Sequence, residues 1–429
     1  MKVTPLESWI IERTHLVNNT QESLKEYQLG KLIKTLNYAK EKSKFYQTTL
    51  KAIDVSSITS LDDFSAIAFT TAEDIKNNAH DFLCVASHEV ERIVTLNTSG
   101  TTGDEKRIFF THEDLEATID FFDYGMRCLV EKSDKVLVLL PGPSYGSIGD
   151  LLKKALALSK IDCIVHGVIS DVEKTAQSIV ENNITCLVGI PMQVLYLSKV
   201  KPEVFKKHIK KVLLSTDYVP DVLIDALSYN TECKVFNHYG MTEMGYGGGV
   251  ECECLNGYHL RENDLYFEII DPITKNPVVD GMYGEVVFTT LNRQAMPLIR
   301  YKTGDMARFI SKPCKCGTFL RTMEKVLGRI ENKVCINGYD VHMQNLDEII
   351  LMHDEVINYK AEFYQENTLH VKLILQKNSD YESVVQNLYK SLLSHFSFEV
   401  KIVWQWDDYS SDITNSMIKR KIHYSKKGR

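Results

Sequence analysis

Thr98-Ser99-Gly100-Thr101-Thr102-Gly103, with Lys106 three residues further on, is the stretch on which the reading of this chain turns. Gly100 and Gly103 let backbone amides approach an anion with no Cβ in the way. Thr98, Ser99, Thr101 and Thr102 supply hydroxyl donors and Lys106 a cation, a combination suited to a polyphosphate. The strand-like run Arg92-Ile93-Val94-Thr95-Leu96 leads into this loop and Ile108-Phe109-Phe110 leads out of it. The spacing is not G-x-x-x-x-G-K-[ST], so the phosphates would not rest on a P-loop helix. Taken alone, a Ser/Thr/Gly turn between two strands is more often a solvated hairpin loop.

Three later segments narrow the choice. Tyr239-Gly240-Met241-Thr242-Glu243, Tyr301-Lys302-Thr303-Gly304-Asp305 and Gly328-Arg329-Ile330-Glu331-Asn332 follow in that order. With the loop, they resemble the core motifs of the adenylate-forming superfamily, which includes acyl-CoA synthetases, peptide-synthetase adenylation domains and luciferases. Phe288-Thr-Thr-Leu-Asn-Arg-Gln-Ala-Met-Pro-Leu-Ile-Arg300 and Phe267-Glu-Ile-Ile-Asp-Pro272 are similar to the phenylacetate–CoA ligase group within it. The resemblance runs from about Leu29 to about Ile422, the coverage of a shared fold rather than a borrowed motif.

Composition agrees with a soluble cytoplasmic enzyme. A chain of 429 residues exceeds the roughly 250–300 at which single cores stop growing, so at least two domains are expected. A hydrophobic content of 44% fills such cores, and a net charge of −7 argues against a nucleic-acid partner. Residues 415–429 carry Lys and Arg with no acid and read as a solvated basic tail. Neither a signal peptide nor an apolar run of the roughly 18 residues that a membrane span needs is visible.

The pattern predicts an α/β fold: a large N-terminal domain of parallel α/β sheets plus a β-rich subdomain, and a small α+β C-terminal lid domain. In residues 1–90 Leu24, Tyr27, Leu29, Leu32, Ile33, Leu36 and Ala39 recur at helical spacing. From Lys135, short apolar runs alternate with helical segments, as in parallel sheet covered by helices, over residues 91–250. Residues 251–328 hold strands without helices between them. Residues 1–328 then form the adenylation domain and 329–429 the lid, with a helix over 346–352 and strands over 360–364, 369–375 and 400–404.

The resemblance assigns roles residue by residue. The loop residues Thr98, Ser99, Gly100, Thr101, Thr102, Gly103 and Lys106 would cover the β- and γ-phosphates of ATP. Asp305 would hold both ribose hydroxyls, two acceptor oxygens suiting a vicinal diol. Tyr239 would stack on adenine, Thr242 would hold the α-phosphate and Glu243 would ligate Mg²⁺, a hard cation. His238, Gly240 and Met241 complete that motif, and Ser215-Thr216-Asp217 stands where the family carries a Gly-Ala-Glu type adenine-side sequence, with Asp217 a shorter substitute. Arg329 matches the ribose- and phosphate-contacting arginine and Glu331 the acidic hinge position. Lys419 aligns with the adenylation lysine, although Ile418 replaces the usual Gly before it, and Arg420 and Lys421 leave the register open. Tyr145, Gly146, Pro191, Met192, Gly245 and Tyr246 would border the acyl pocket, and the tyrosines suit an aryl or small polar acid.

Ten cysteines in a chain with no visible secretion signal are expected as reduced thiols. Cys252-Glu-Cys254 and Cys314-Lys-Cys316 stand apart from the rest, with His259 between them, and offer enough soft ligands for a tetrahedral structural Zn²⁺. The preferred set is Cys254, His259, Cys314 and Cys316, with Cys252 as the alternate. Free surface thiols are the competing reading.

The resemblance implies an ATP- and Mg²⁺-dependent carboxylate–CoA ligase working through an acyl-AMP, its partners a small carboxylic acid, ATP and CoA. Neither nucleic acid nor membrane is expected as a partner, and a homodimer is compatible with this reading. Two alternatives stay open: an adenylating enzyme that delivers to a protein thiol or cofactor, and a non-catalytic nucleotide-binding homologue.

Overall fold

The β-rich subdomain is braced by a helix whose inward face is partly polar. In the computed structural model, helix Gln21–Lys42 buries Leu24, Leu32, Leu36 and Ala39 at helical spacing, but Gln28 and Thr35 lie on the same stripe. Their side chains donate to Glu262 O at 2.8 Å and Leu291 O at 3.1 Å, while the hydroxyls of Tyr27 and Tyr38 reach Asn263 O at 3.3 Å and Gln294 O at 3.1 Å. Buried polar groups are tolerated there because each finds a partner. Thr20 caps the helix by accepting from the Ser23 N–H. Tyr27, Leu29 and Ile33, expected in the core, are only half-buried.

The structure describes residues 2–96, 105–142, 144–229, 231–330, 332–336, 339–364, 368–376, 379–396, 399–406, 420 and 422–425. By packing, the chain forms two units.

The first unit comprises Met1–Glu131, Ser144–Lys160 and Asn237–Val326. Strands Arg92–Leu96 and Lys106–Phe110 form an antiparallel pair, Leu96 opposite Lys106, so the two ends of the Thr/Ser/Gly loop are tied together. Leu265–Ile270, Gly284–Thr290 and Tyr301–Ala307 form an antiparallel sheet with Phe267 opposite Phe288 and Phe288 opposite Tyr301. Alternate burial along Tyr301–Ala307 puts Tyr301, Thr303 and Asp305 on one face. Gly249–Glu251 pairs with the end of Lys234–Tyr239 on one side and with Tyr258–Leu260 on the other, and Thr322–Met323 adds an outer strand.

The second unit comprises Lys132–Pro143, Ile161–Phe236 and Leu327–Arg429. Strands Asp162–Val165, Lys135–Leu139, Cys186–Gly189 and Lys211–Leu214 lie parallel in that order, as the alternating pattern predicts. Its C-terminal part holds hairpin Lys333–Ile336/Tyr339–His342, helices Met343–Ile350 and Tyr381–His395, and a sheet in the order Glu399–Trp406, Thr368–Leu375, Val356–Tyr364, His423–Ser425. Helix Tyr381–His395 is absent from the sequence reading. So is strand His423–Ser425, which lies within the stretch expected to be solvated tail.

Residues 327–429 group with the 132–143 and 161–236 segments. One apolar core runs through Leu139, Leu187, Val212, Leu223, Leu346, Ile349, Val356 and Leu388. Two polar ties add to it. Lys199 Nζ donates to His353 O at 3.1 Å and Val356 O at 2.8 Å. The Glu348 carboxylate accepts from the N–H groups of Asp221 and Val222 at 2.7 and 3.0 Å, at the N-terminus of helix Asp221–Ser228. Such long-range packing leaves no local signature. No helix among the described residues is long and apolar enough to cross a membrane.

Candidate active site

Three elements of the first unit bring a cation, a carboxylate and a phenol together. Lys106 opens strand Lys106–Phe110, Glu243 sits in the 3₁₀ turn Thr242–Met244, and Tyr301 opens strand Tyr301–Ala307. Lys106 pairs with the Glu243 carboxylate, and Tyr301 donates its hydroxyl to the same oxygen at 3.1 Å. The Lys106 ammonium stands 3.4 Å from the Tyr301 hydroxyl. Glu243 is only 3% exposed. Burial pushes its pKa up, but the charge and hydrogen bond of Lys106, with the Tyr301 hydroxyl, outweigh that and hold it below the usual value. Glu243 is therefore a buried carboxylate held in its charged form, the kind of oxygen donor that a hard cation prefers.

The turn that carries Glu243 is closely packed. A Cβ on Gly240 would fall 2.2 Å from Tyr246 O, so no side chain fits there. Gly245, at φ +73°, closes the turn by donating to Thr242 O, and its own carbonyl accepts from Thr118 Oγ1 at 3.0 Å. Thr242 itself is half-buried. Met241 precedes the turn in extended backbone. His238 lies 6.2 Å from the rings of both Phe121 and Phe122, and burial lowers its pKa to about 4, which keeps it neutral.

Asp305 follows Gly304, at φ +75°, and accepts the Tyr239 hydroxyl at 3.1 Å. Tyr239 is 6% exposed, with Tyr258 stacked against it at 5.7 Å. Tyr258 packs against the Tyr239 ring, and the Tyr239 hydroxyl donates to the carboxylate assigned to the ribose.

Tyr145, Gly146, Gly245 and Tyr246, expected at the acyl pocket, belong to the same unit. Tyr246 stacks on Phe110 with centroids 5.5 Å apart and ring planes 6° from parallel, and its hydroxyl points at Gly146 O, 3.5 Å away. Tyr145 is half exposed; its hydroxyl binds Glu91 and its carbonyl accepts from Arg92. Gly146, at φ +65°, leaves room for Arg92, whose Cδ would lie 2.6 Å from a Cβ there. Arg293 stands over Phe110 at 4.6 Å and donates to Glu243 O at 3.4 Å. Sequence reading missed Arg92, Phe110 and Arg293. The alternation of strands Arg92–Leu96 and Lys106–Phe110, which pair Arg92 with Phe110, is the signal that could have found two of them.

Of the remaining expected residues, Ser215, Thr216, Asp217, Pro191, Met192 and Arg329 belong to the second unit. Ser215 donates its N–H to Gly189 O at 3.1 Å, at the carboxyl end of strand Lys211–Leu214. Thr216 adopts φ +79°, a conformation that L residues rarely take and that tends to mark functional turns. The Asp217 carboxylate accepts from the N–H groups of Tyr218 at 3.0 Å and Arg420 at 3.4 Å. Pro191 and Met192 open helix Pro191–Val200, and Arg329 is half-buried in strand Gly328–Arg329. Thr98, Ser99, Gly100, Thr101, Thr102, Gly103, Glu331 and Lys419 lie outside the described residues.

The first unit also holds a thiol cluster. Among the described residues Cys252, His259, Cys314 and Cys316 bring one ligand atom each within 4.8 Å of one another, all buried. The Cys252 and Cys314 sulfurs are 3.7 Å apart, and Cys316 Sγ is 3.6 Å from His259 Nε2. A tetrahedral metal with bonds of about 2.3 Å to sulfur and about 2.05 Å to nitrogen holds its ligands roughly 3.5–3.8 Å apart, and both of these separations fall in that range. The set differs from the preferred one: Cys252 replaces Cys254, which packs half-buried at the edge of the cluster and donates its N–H to Cys252 Sγ at 3.4 Å.

These features coincide with what the chain is similar to. The AMP-binding enzyme family matches residues 32–292, and the chain belongs to that family. It is 27% identical over 369 residues to the phenylacetate-coenzyme A ligase of Thermus thermophilus, covering 81% of this chain and 80% of that enzyme. The Pseudomonas putida phenylacetate-coenzyme A ligase is 25% identical over 393 residues, 89% of this chain and 88% of the other. A solved structure of 2-hydroxyisobutyryl-CoA ligase with 2-HIB-AMP superposes with a TM-score of 0.81 at 18% identity, covering 95% of this chain and 91% of that one, so the fold is shared.

Proposed function

We propose that this chain is an ATP-dependent carboxylate–CoA ligase that forms an acyl-AMP and then an acyl-CoA thioester. The observation that carries this reading is the buried Lys106–Glu243–Tyr301 group, in a chain whose Asp305 is oriented on the same strand face as Tyr301. A carboxylate held ionised inside the protein suits Mg²⁺, which when bound would neutralise phosphate charge. Lys106 would address the phosphates and Asp305 the ribose. The protein's contribution is to position the reactants and stabilise charge. Residues 329–429 act as the lid and Lys419 contributes the lysine of the adenylation step.

Tyr145, Tyr246 and Phe110 favour an aryl or small polar acid. Cys252, His259, Cys314 and Cys316 hold a structural Zn²⁺ that ties the loop after Cys252 to the Cys314–Cys316 turn. A cytoplasmic location, where those thiols stay reduced, belongs to the same proposal.

ATP–pyrophosphate exchange with a panel of carboxylic acids, followed by CoA consumption with each acid that supports exchange, tests the reading. Exchange with CoA consumption is the expected result. Exchange without it points to delivery to a protein thiol or cofactor, and absence of exchange to a nucleotide-binding homologue.

A further inference from the structure

Strand Tyr301–Ala307 is irregular at Asp305. Before the irregularity Tyr301 and Lys302 stand opposite Phe288 and Val287, and after it Met306 and Ala307 stand opposite Glu285 and Gly284. Thr303, Gly304 and Asp305 therefore face the single residue Val286, a bulge that takes them out of the regular ladder. Gly304 supplies the bend at φ +75°. Two extra residues leave the alternation in phase, so Asp305 stays on the face of Tyr301.

Side chains make the hydrogen bonds that the ladder would otherwise supply. The Thr303 hydroxyl donates to Val286 O at 2.8 Å and accepts the Asp305 N–H at 3.0 Å. Glu285 Oε1 accepts the Gly304 N–H at 3.2 Å, and its Oε2 pairs with Lys302 Nζ at 3.0 Å. Thr303 and Glu285 are both buried. Main-chain groups left unpaired in such surroundings are as unfavourable as a lost hydrogen bond, so these two side chains fix the path of the bulge.

A buried carboxylate is a poor means of holding a sheet together. A regular ladder would satisfy the same main-chain groups with no charge to desolvate, and apolar residues in place of a buried ion pair are often no less stable. What a bulge changes is the direction in which a side chain points. Here that side chain is the carboxylate assigned to the ribose, which also accepts the Tyr239 hydroxyl.

We propose that Glu285 is a positioning residue for nucleotide recognition: by closing the bulge at Gly304 it sets where the Asp305 carboxylate meets the ribose hydroxyls. The proposal rests on the reading of Asp305 as the ribose acceptor. Glu285 itself touches no ligand in this account.

The full-length protein is titrated calorimetrically with ATP and with 2′,3′-dideoxy-ATP, which lacks the diol. Wild type should favour ATP by roughly 10- to 100-fold, the usual effect of a hydrogen bond to a charged group. Glu285→Ala should shrink that preference about tenfold while binding the dideoxy nucleotide as wild type does. Glu285→Gln, which still offers an oxygen to Gly304, should keep most of it. If Glu285→Ala does not fold, Glu285→Asp, whose shorter arm withdraws the carboxylate from Gly304, carries the same expectation. An unchanged preference, an equal loss for both nucleotides, a loss in Glu285→Gln as large as in Glu285→Ala, or unfolding of both shortened variants would mark Glu285 as structural and overturn the proposal. If wild type binds the two nucleotides alike, or Asp305→Ala keeps the preference, the ribose assignment itself fails, and the proposal with it.

Discussion

Lys106 and Tyr301 both address one oxygen of Glu243, so the carboxylate assigned to Mg²⁺ is charged, oriented and nearly dry before any ligand arrives. Its neighbours remove the cost of burying that charge, and Arg293 holds the carbonyl of the same residue. The position is preorganised from both its side chain and its backbone.

Glu243→Gln keeps the shape and the Tyr301 contact but removes the charge. Pyrophosphate exchange should fall by about 10²-fold or more, and half-saturation should move to higher Mg²⁺. Titrating exchange against Mg²⁺ checks this, and an unchanged Mg²⁺ dependence would remove Glu243 from the metal's coordination. Because its folded pKa is lowered, the stability this carboxylate contributes is present above the ordinary Glu range and is lost only as pH falls through the lowered value. Glu243 should therefore add no step to the exchange profile near neutrality.

Asp305→Ala should abolish measurable ATP binding in a folded protein, since a charged acceptor contributes roughly 1.5–3 kcal/mol for each hydrogen bond to the ribose diol. Calorimetric titration with ATP decides it. Tyr239→Phe, which removes the hydroxyl that Asp305 accepts, should weaken binding less. Wild-type affinity in folded Asp305→Ala would sink the assignment.

The thiol cluster separates two sets of ligands that the sequence leaves competing. Protein prepared without added metal should carry about one Zn²⁺ per chain. Cys252→Ser should lose it, with a lower Tm, and Cys254→Ser should keep it. Elemental analysis of the two variants is the measurement. Metal retained by Cys252→Ser and lost by Cys254→Ser would reverse the geometric assignment.

Glu262 gives a stability prediction independent of catalysis. It is buried beside Arg321, whose N–H it accepts at 3.2 Å, and burial raises its pKa to about 7 against the lowering effect of Arg321. The unfolded chain releases this proton near pH 4.5, whereas the folded protein retains it until about pH 7. Stability should therefore decline as pH rises across that window, by a few kcal/mol at most. Glu262→Gln should flatten the decline and raise Tm at pH 8; an unchanged Tm profile would show that Glu262 ionises without penalty.

What could be read from the sequence followed the range of each signal. The strands flanking the Thr/Ser/Gly loop, the parallel strands after Lys135 and the strands Leu265–Ile270 and Gly284–Thr290 are local patterns, and they appear where periodicity puts them, whereas the strand expected over 307–310 lies at Tyr301–Ala307. The run Tyr301-Lys302-Thr303-Gly304-Asp305, which reads as a turn because of its glycine, instead lies in strand Tyr301–Ala307, and that puts Asp305 on the face of Tyr301. Motif order fixes no ring environment, so Tyr258 against Tyr239 was not foreseeable. C-x-C spacing cannot tell which sulfur turns inward, because the turn after Cys252 decides it. The grouping of residues 327–429 with 132–143 and 161–236 depends on contacts such as Lys199 with Val356 and Glu348 with Asp221, which join residues more than a hundred positions apart. Arg420 read as tail because charge runs usually are solvated, and only its partner Asp347 reveals otherwise.

Helix Gln21–Lys42 reaches the β-rich subdomain through the carbonyl oxygens of Glu262, Asn263, Leu291 and Gln294. Every amino acid carries such an oxygen. Homologues can therefore exchange side chains at those four positions without loosening the grip, provided the main chain keeps its path, whereas inserting a single residue in either loop would put every tooth out of step. Substitution should be cheap there and length should be guarded, an asymmetry that a set of related sequences would display as drift without gaps.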